Sequence, residues 1–426
     1  MNLAHPLQQP GELPLALPAA AVLGILLIIG LAVPGRRLAE RLGGGGELER
    51  GDHKPSLYSW EGRLSAWQST GRTLAIALLA AAVAAGRIGS TSELDNLAPA
   101  LVVGTAWPLI VVFSAILGPV WRWLDPFDGL ARIFARSGAE PDSHQRVEVD
   151  RQDPIVSRDV LGEPAPEAGV LAAIPAALAW SWYLSANANV LHPRSVGAAL
   201  ALYTVITLAG CLAVGRVAWM ARAEVFNLLF GWVAHVHGFR LLGWRPPRGA
   251  AFVLGVLAGG LIFGGLRQLT VWGPLAVASN ALLYATVGVI LLCALGAVVV
   301  RLLEAWASAQ GSHGVVVAAT VPAVASIAVA LALVHNRLFT SVQLLPGLLG
   351  DPFGWGWDLL GITGAGLDPD PLGTTGRFVL QAVVLLAGHG IGARLVARRA
   401  TPQARLPAII ALSLLFASAG SAILPI

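Results

Sequence analysis

Asn280 to Leu303 reads NALLYATVGVILLCALGAVVVRLL, with no charged residue before Arg301. A bilayer core of about 30 Å needs roughly 20 consecutive apolar residues in helical form. Inside lipid every backbone N–H and C=O must be satisfied within the segment, so a run like this one is a helix. Similar runs lie near Leu15–Pro34, Thr73–Ala85, Leu97–Leu117, Val170–Ser185, Val196–Met220, Ala250–Leu266, Val315–Leu345, Arg377–Val396 and Leu406–Leu424. The expectation is an all-α, polytopic transmembrane helix bundle of about ten spans, with residues 1–426 forming a single integral membrane domain.

Composition agrees. Hydrophobic residues make up 56% of the chain and charged residues 12%, against about 25% charged in ordinary soluble domains. Cys211 and Cys293 both lie inside apolar runs, which argues against a disulfide framework or a thiolate zinc site. The net charge of +4 reflects membrane topology and does not point to nucleic acid.

Orientation follows from the arginines. The first run is preceded by no basic residue, only by His5, and is followed at once by Arg36 and Arg37; it reads as an uncleaved span with the N-terminus outside. Ten spans then place the C-terminus outside too. In this layout 23 of the 28 basic residues sit on inside segments, leaving Arg87, Arg194, Arg267, Arg337 and Arg377 elsewhere, as the positive-inside rule demands. The expected location is the bacterial inner (plasma) membrane, with the lipid bilayer as first partner.

Three inside loops are expected, at 36–72, 121–168 and 220–249. The last contains a stretch from Glu224 to His237 that reads as an interfacial amphipathic helix. Trp60, Trp67, Trp121, Trp123, Trp219, Trp244, Trp272 and Trp306 mark run ends, where indoles anchor at the headgroup level. Gly255–Gly259 and Gly260–Gly264 are small-xxx-small pairs that mark close helix packing. On the outside, residues 346–376 hold nine glycines, Trp355, Trp357 and four aspartates, Asp351, Asp358, Asp368 and Asp370. A loop of this length and aromatic content is expected to be ordered and folded back on the bundle.

Ionisable groups inside spans are functional candidates by default. His335, Asn336 and Arg337 fall in the middle of the late run, and His389 lies halfway along the next. Two imidazoles at matching depth could bind a divalent metal, relay protons or ligate haem, haem being the less favoured. The metal ligands expected are His335, His389 and Asp351, with Asp351, Asp358 and Arg337 as catalytic groups around a metal-bound water. His235 and His237 are two apart and diverge on a helix. No phosphate-binding loop, nucleophile elbow, His-Glu-x-x-His or haem-attachment motif occurs in the sequence. Asp125-Pro126-Phe127 and Asp351-Pro352-Phe353 form a mirrored pair that hints at an inverted repeat.

Several stretches resemble one family in order along nearly the whole chain. They are Leu3-Ala4-His5 with Glu12-Leu13-Pro14, Asn96-Leu97-Ala98-Pro99, Gly118-Pro119-Val120-Trp121-Arg122, Ala223 to Phe230, His335, and Asp351 to Gly361. Together they resemble bacterial integral-membrane proteins of the fenitrothion hydrolase family. The chain departs from that pattern at Val334-His335-Asn336, where the family has Ala-His-Tyr, and at Asp125-Pro126-Phe127, where it has Asn-Pro-Trp. The resemblance implies a (phospho)ester hydrolase acting on a small molecule. The residues themselves leave three classes open: a metal-assisted hydrolase with an outward-facing intramembrane site, a transporter of a small or lipophilic solute, and a haem-binding or anchoring subunit with membrane-protein partners.

Overall fold

The computed structural model describes residues 66–137, 169–269, 272–362 and 366–423. The expected first span, the N-terminus and much of the 36–72 and 121–168 loops lie outside the described residues. Within them the chain is helical and contains no strand.

In chain order, α1 is Ala66–Ile88, α2 Pro99–Leu117, α3 Pro126–Ser137 and α4 Leu171–Ser185. Next come α5 at Pro193–Val214, α6 at Arg216–Arg222, α7 at Val225–Ala234 and α8 at Ala250–Leu266. The remainder are α9 (Ala281–Ala309), α10 (Val315–Ala332), α11 (Arg337–Gly350), α12 (Gly373–Arg399) and α13 (Arg405–Ile423). Among the described residues α1, α2, α5, α9, α10 and α12 are long and apolar enough to cross a membrane, while α4, α7, α8 and α13 are shorter apolar helices.

Side chains from alternate helix ends meet at two faces. At one, Arg399 donates to the carbonyls of Leu241 and His313, His237 bonds Ile116 O, and Val170 N bonds Arg248 O. This is the arginine-rich face. Glu304, near the end of α9, caps the first turn of α10 there, accepting from the N–H groups of Gly314, Val316 and Val317; a carboxylate at a helix N-terminus also suits the dipole. At the opposite face Ser90 N bonds Phe353 O, Leu97 N bonds Pro352 O, and Arg267 reaches Ser185 O.

Small residues set the packing. A Cβ added at Gly259 would lie 2.1 Å from Leu292 O, and one at Gly255 2.4 Å from Gly296 O, so α8 and α9 touch backbone to backbone. Gly260 and Gly264 occupy another side of α8, against Ser181 and Ser185 of α4. The central element is α10, a helix of Val, Ala and a few small polar residues that is buried over almost its whole length. Gly388 and Gly392 of α12 press on the carbonyls of Pro322 and Ala319. Leu291, Leu295 and Leu302 leave α9 exposed on its outer side, as a lipid-facing helix requires.

Three expectations change. The run Val315–Leu345 is not one span: the helix breaks at His335 and Asn336, both left-handed with φ +53° and +55°. Neither is glycine; Asn336 is held there by donating to Pro369 O (3.0 Å) and Asp370 Oδ1 (2.6 Å), and asparagine tolerates this conformation better than most residues. Beyond the break α11 docks on the first, π-helical half of α2, with Ser341 against Gly104. Second, α7 is not interfacial. Phe230, Trp232 and Val233 are each at most 2% exposed, and the one polar side chain of the helix, Asn227, donates inward to Met220 O. Third, Trp121 and Trp244 are buried and pack inside the bundle; Trp67, Trp123 and Trp306 are exposed as anchors would be. Both cysteines are free and buried.

Candidate polar site beside an aromatic-lined cavity

The residues expected to form a metal site are not brought together. His335 is exposed at the helix break. His389 is fully buried, with Nδ1 donating to Leu385 O at 2.8 Å and its ring edge-on to Phe416. Gly388 beside it faces Pro322 and Ser326. Along α10 that is nine residues or more from His335, about 14 Å at 1.5 Å per residue. Arg337 is half-buried with Glu93 nearby. Among the described residues no group of three or more His, Cys, Asp or Glu is placed to hold a metal ion. The set His335, His389 and Asp351 is therefore spread over the break, the bundle interior and the loop.

Asp351 has a local task. Its Oδ1 accepts from Trp355 N (3.0 Å) and its Oδ2 from Gly356 N (2.7 Å) and Trp357 N (3.1 Å). Desolvation opposes ionisation there, but these N–H groups together outweigh it and hold the carboxyl below the usual carboxylate range. Asp358 caps a second turn through Ile362 N. Phe353, Trp355 and Trp357 stack on the loop so formed. Asp351→Ala is expected to raise amide exchange at Trp355–Trp357 about tenfold or more, from the loss of hydrogen bonds to a charged group. Because the folded carboxyl is the stronger acid, its contribution is complete above about pH 4 and fades as the pH falls further. Wild-type exchange in this turn is expected to approach that of the variant at low pH. Unchanged exchange in Asp351→Ala would remove the assignment.

The other Asp-Pro-Phe segment does something different. Asp125 Oδ1 caps α3, accepting from Phe127 N (2.9 Å) and Asp128 N (3.0 Å). The two segments share three residues but not a local structure.

Asp128 lies one turn on and is fully buried. Three arginines converge on it: Arg72 from α1 at 2.6 Å, Arg132 from α3 at 2.9 Å and Arg216 from α6 at 2.5 Å. Arg72 Nη1 approaches off the line of an ideal hydrogen bond, so that contact is chiefly ionic; its Nε and Nη2 bond Arg122 O. Desolvation works against the charge on Asp128, but the three guanidiniums outweigh it and lower its pKa.

Glu224 completes the cluster. The chain reverses at Gly215 (φ +89°), and α6 folds back along α5 with Trp219 over Gly210. Then α7 returns to the arginine-rich face, where His237 meets Gly118. Glu224 is the tip of this hairpin. It caps α7, accepting from Phe226 N (3.3 Å) and Asn227 N (2.5 Å), and takes a hydrogen bond from Tyr203 OH. Tyr203 is eleven residues, about 16 Å, from the end of α5. Non-helical backbone this far inside a bundle persists only when packed in protein or lining a cavity.

Two aromatic rings away from Glu224 lies a narrow, partly open apolar crevice. Its walls come from α2, α4, α7, α8 and α10, among them Trp107, Trp180, Leu229, Leu261 and Ala325. Aromatic rings run from it to the acids: Trp107 to Trp180 (6.2 Å), Trp180 to Phe226 (4.9 Å) and Phe226 to Tyr203 (5.2 Å).

No family model, no curated protein and no solved structure matches the chain. The site therefore rests on its own geometry. Sequence reasoning counted Arg72 and Arg216 as inside-loop charges and took Glu224 for a surface residue. The available signal was the scarcity of acids: Asp125, Asp128 and Glu224 each sit in an apolar, aromatic setting, where an ionisable group is costly unless used.

Proposed function

We propose that the chain is a plasma-membrane protein of about ten spans, with both termini outside, that accepts a neutral, lipophilic small molecule in the cavity between α2, α4, α7, α8 and α10 and carries it. The observation that supports this reading is the cavity itself: apolar walls, two tryptophans and a ring chain ending on buried carboxylates, with no cluster of charged groups inside. Small-molecule sites are commonly concave, largely apolar and served by a few polar groups at one edge.

A second reading draws on the resemblance to the fenitrothion hydrolase family. A neutral aryl phosphotriester has the polarity this cavity would take, and Asp125 and Glu224 lie beyond its aromatic end, behind Phe226 and Tyr203. In that reading the acids act on water and the bound ester without the outward-facing metal site first expected.

One probe separates the two. A nitrophenyl phosphotriester quenches nearby indoles on binding and releases coloured nitrophenolate on hydrolysis. With purified protein, saturable quenching is expected, and Ala325→Leu, which fills the cavity, is expected to weaken it about tenfold, equal to about 1.4 kcal/mol. Nitrophenolate release at the bound stoichiometry would favour the hydrolase; an intact probe would favour the carrier. Quenching that only tracks partition into lipid, unchanged in Ala325→Leu, would overturn both.

A further inference from the structure

We propose that Asp125 and Glu224 together hold one exchangeable proton, so that the tip of the α6–α7 hairpin is a proton-binding site. All three arginines of the cluster pair with Asp128. Among the described residues neither Asp125 nor Glu224 has an ion pair. Asp125 is 1% exposed, and while Oδ1 accepts two backbone N–H bonds, its Oδ2 has no hydrogen-bond partner among the described residues. A bare carboxylate oxygen shut away from water is strongly disfavoured. A proton on Oδ2 removes that cost and relieves the repulsion between the two acids. Glu224 remains an acceptor from Tyr203 and the first turn of α7.

The surroundings contain few other groups able to titrate. Facing the pair are Asp128 and Arg132 on α3, Arg72 on α1, Arg216 on α6, and Tyr203 and Cys211 on α5. The packed helices α2, α7, α8 and α10 carry no titratable side chain. On α4 there is only Tyr183, whose hydroxyl bonds Val190 O. The step is a single proton passing from the pair to water as the pH rises, with no other bond made or broken. Ionising both acids places a second uncompensated charge at the tip of a hairpin that lines the cavity, which gives solvent proton concentration a physical grip on the cavity wall.

Infrared spectroscopy of the protein reconstituted in lipid tests this directly. The carbonyl stretch of a protonated carboxylic acid is expected near neutral pH, at one group per chain, and is expected to vanish as the pH rises. Asp125→Asn should abolish it, and Glu224→Gln should move its loss to lower pH, while circular dichroism shows the helices intact. If either variant fails to fold, wild-type protein carrying carbon-13 aspartate or glutamate assigns the band by its shift. A wild-type spectrum with no protonated carboxyl near neutral pH, or a band that survives Asp125→Asn, would overturn the proposal. Probe binding is read separately, so wild-type protein that quenches the probe yet shows no band rejects the proton site alone.

Discussion

Asp128→Ala is expected to be the most damaging single change at the arginine-rich face, lowering stability by about 3–5 kcal/mol. The carboxylate is fully buried, and Arg72 beside it is only 6% exposed. Removing one partner of a buried pair leaves an uncompensated charge, and here it leaves three cations facing one another. The pair is not a net source of stability to be added up; the loss comes from breaking it. A thermal melt in detergent, followed by circular dichroism, measures the change. Restoring balance should recover part of it: Asp128→Asn combined with Arg72→Met is expected to be more stable than Asp128→Asn alone, a coupling that a double-mutant cycle isolates. If Asp128→Ala melts with wild type, the arginines have found water or lipid phosphate, and the cluster is a surface feature.

Gly259→Leu is expected to part α8 from α9. With a new Cβ 2.1 Å from Leu292 O, and Cys293 Cα at 2.8 Å, no side-chain rotation helps, because the obstruction is backbone. Overpacking typically costs about 1–3 kcal/mol and more when the backbone itself must move. Close backbone approach through glycine is also what holds helices together where lipid removes the hydrophobic drive. The same melt reads the loss. Gly347→Ala is the control: nothing lies within 4 Å of its added Cβ and its φ is not left-handed, so it should be neutral or gain up to about 1 kcal/mol. Equal effects at both positions would mean that α8 and α9 are not in contact through Gly259.

These two sites differ in how well they can be read from residues alone. The glycines of Ala250–Leu266 announce close packing by their spacing, and the apolar length of Asn280–Leu303 announces a span; both follow from the solvent the helix must satisfy. The cluster around Asp128 carries no such periodic mark. An arginine counts toward topology whether it faces water or a buried carboxylate, so Arg72, Arg132 and Arg216 fit the positive-inside pattern either way. The α6–α7 hairpin is hidden for a related reason: a ten-residue helix with a single polar side chain, Asn227, suits a membrane surface and a bundle interior equally well. At Val334-His335-Asn336 no glycine or proline signals a break, because the strain is met by bonds to Pro369 and Asp370, more than thirty residues away. His389 looked like a ligand between two glycines, yet Gly388 is there for the backbone of α10.

Whether a solute enters the bundle at Trp107, Trp180 and Ala325 is tested most directly by photolabelling. A neutral lipophilic diazirine, irradiated with the protein in lipid and mapped by mass spectrometry, is expected to label the cavity wall at Trp107, Leu229 and Leu261, and a nitrophenyl phosphotriester should compete that label away. Label confined to the lipid face of α9, at Leu291 and Leu295, and indifferent to competitor would contradict it.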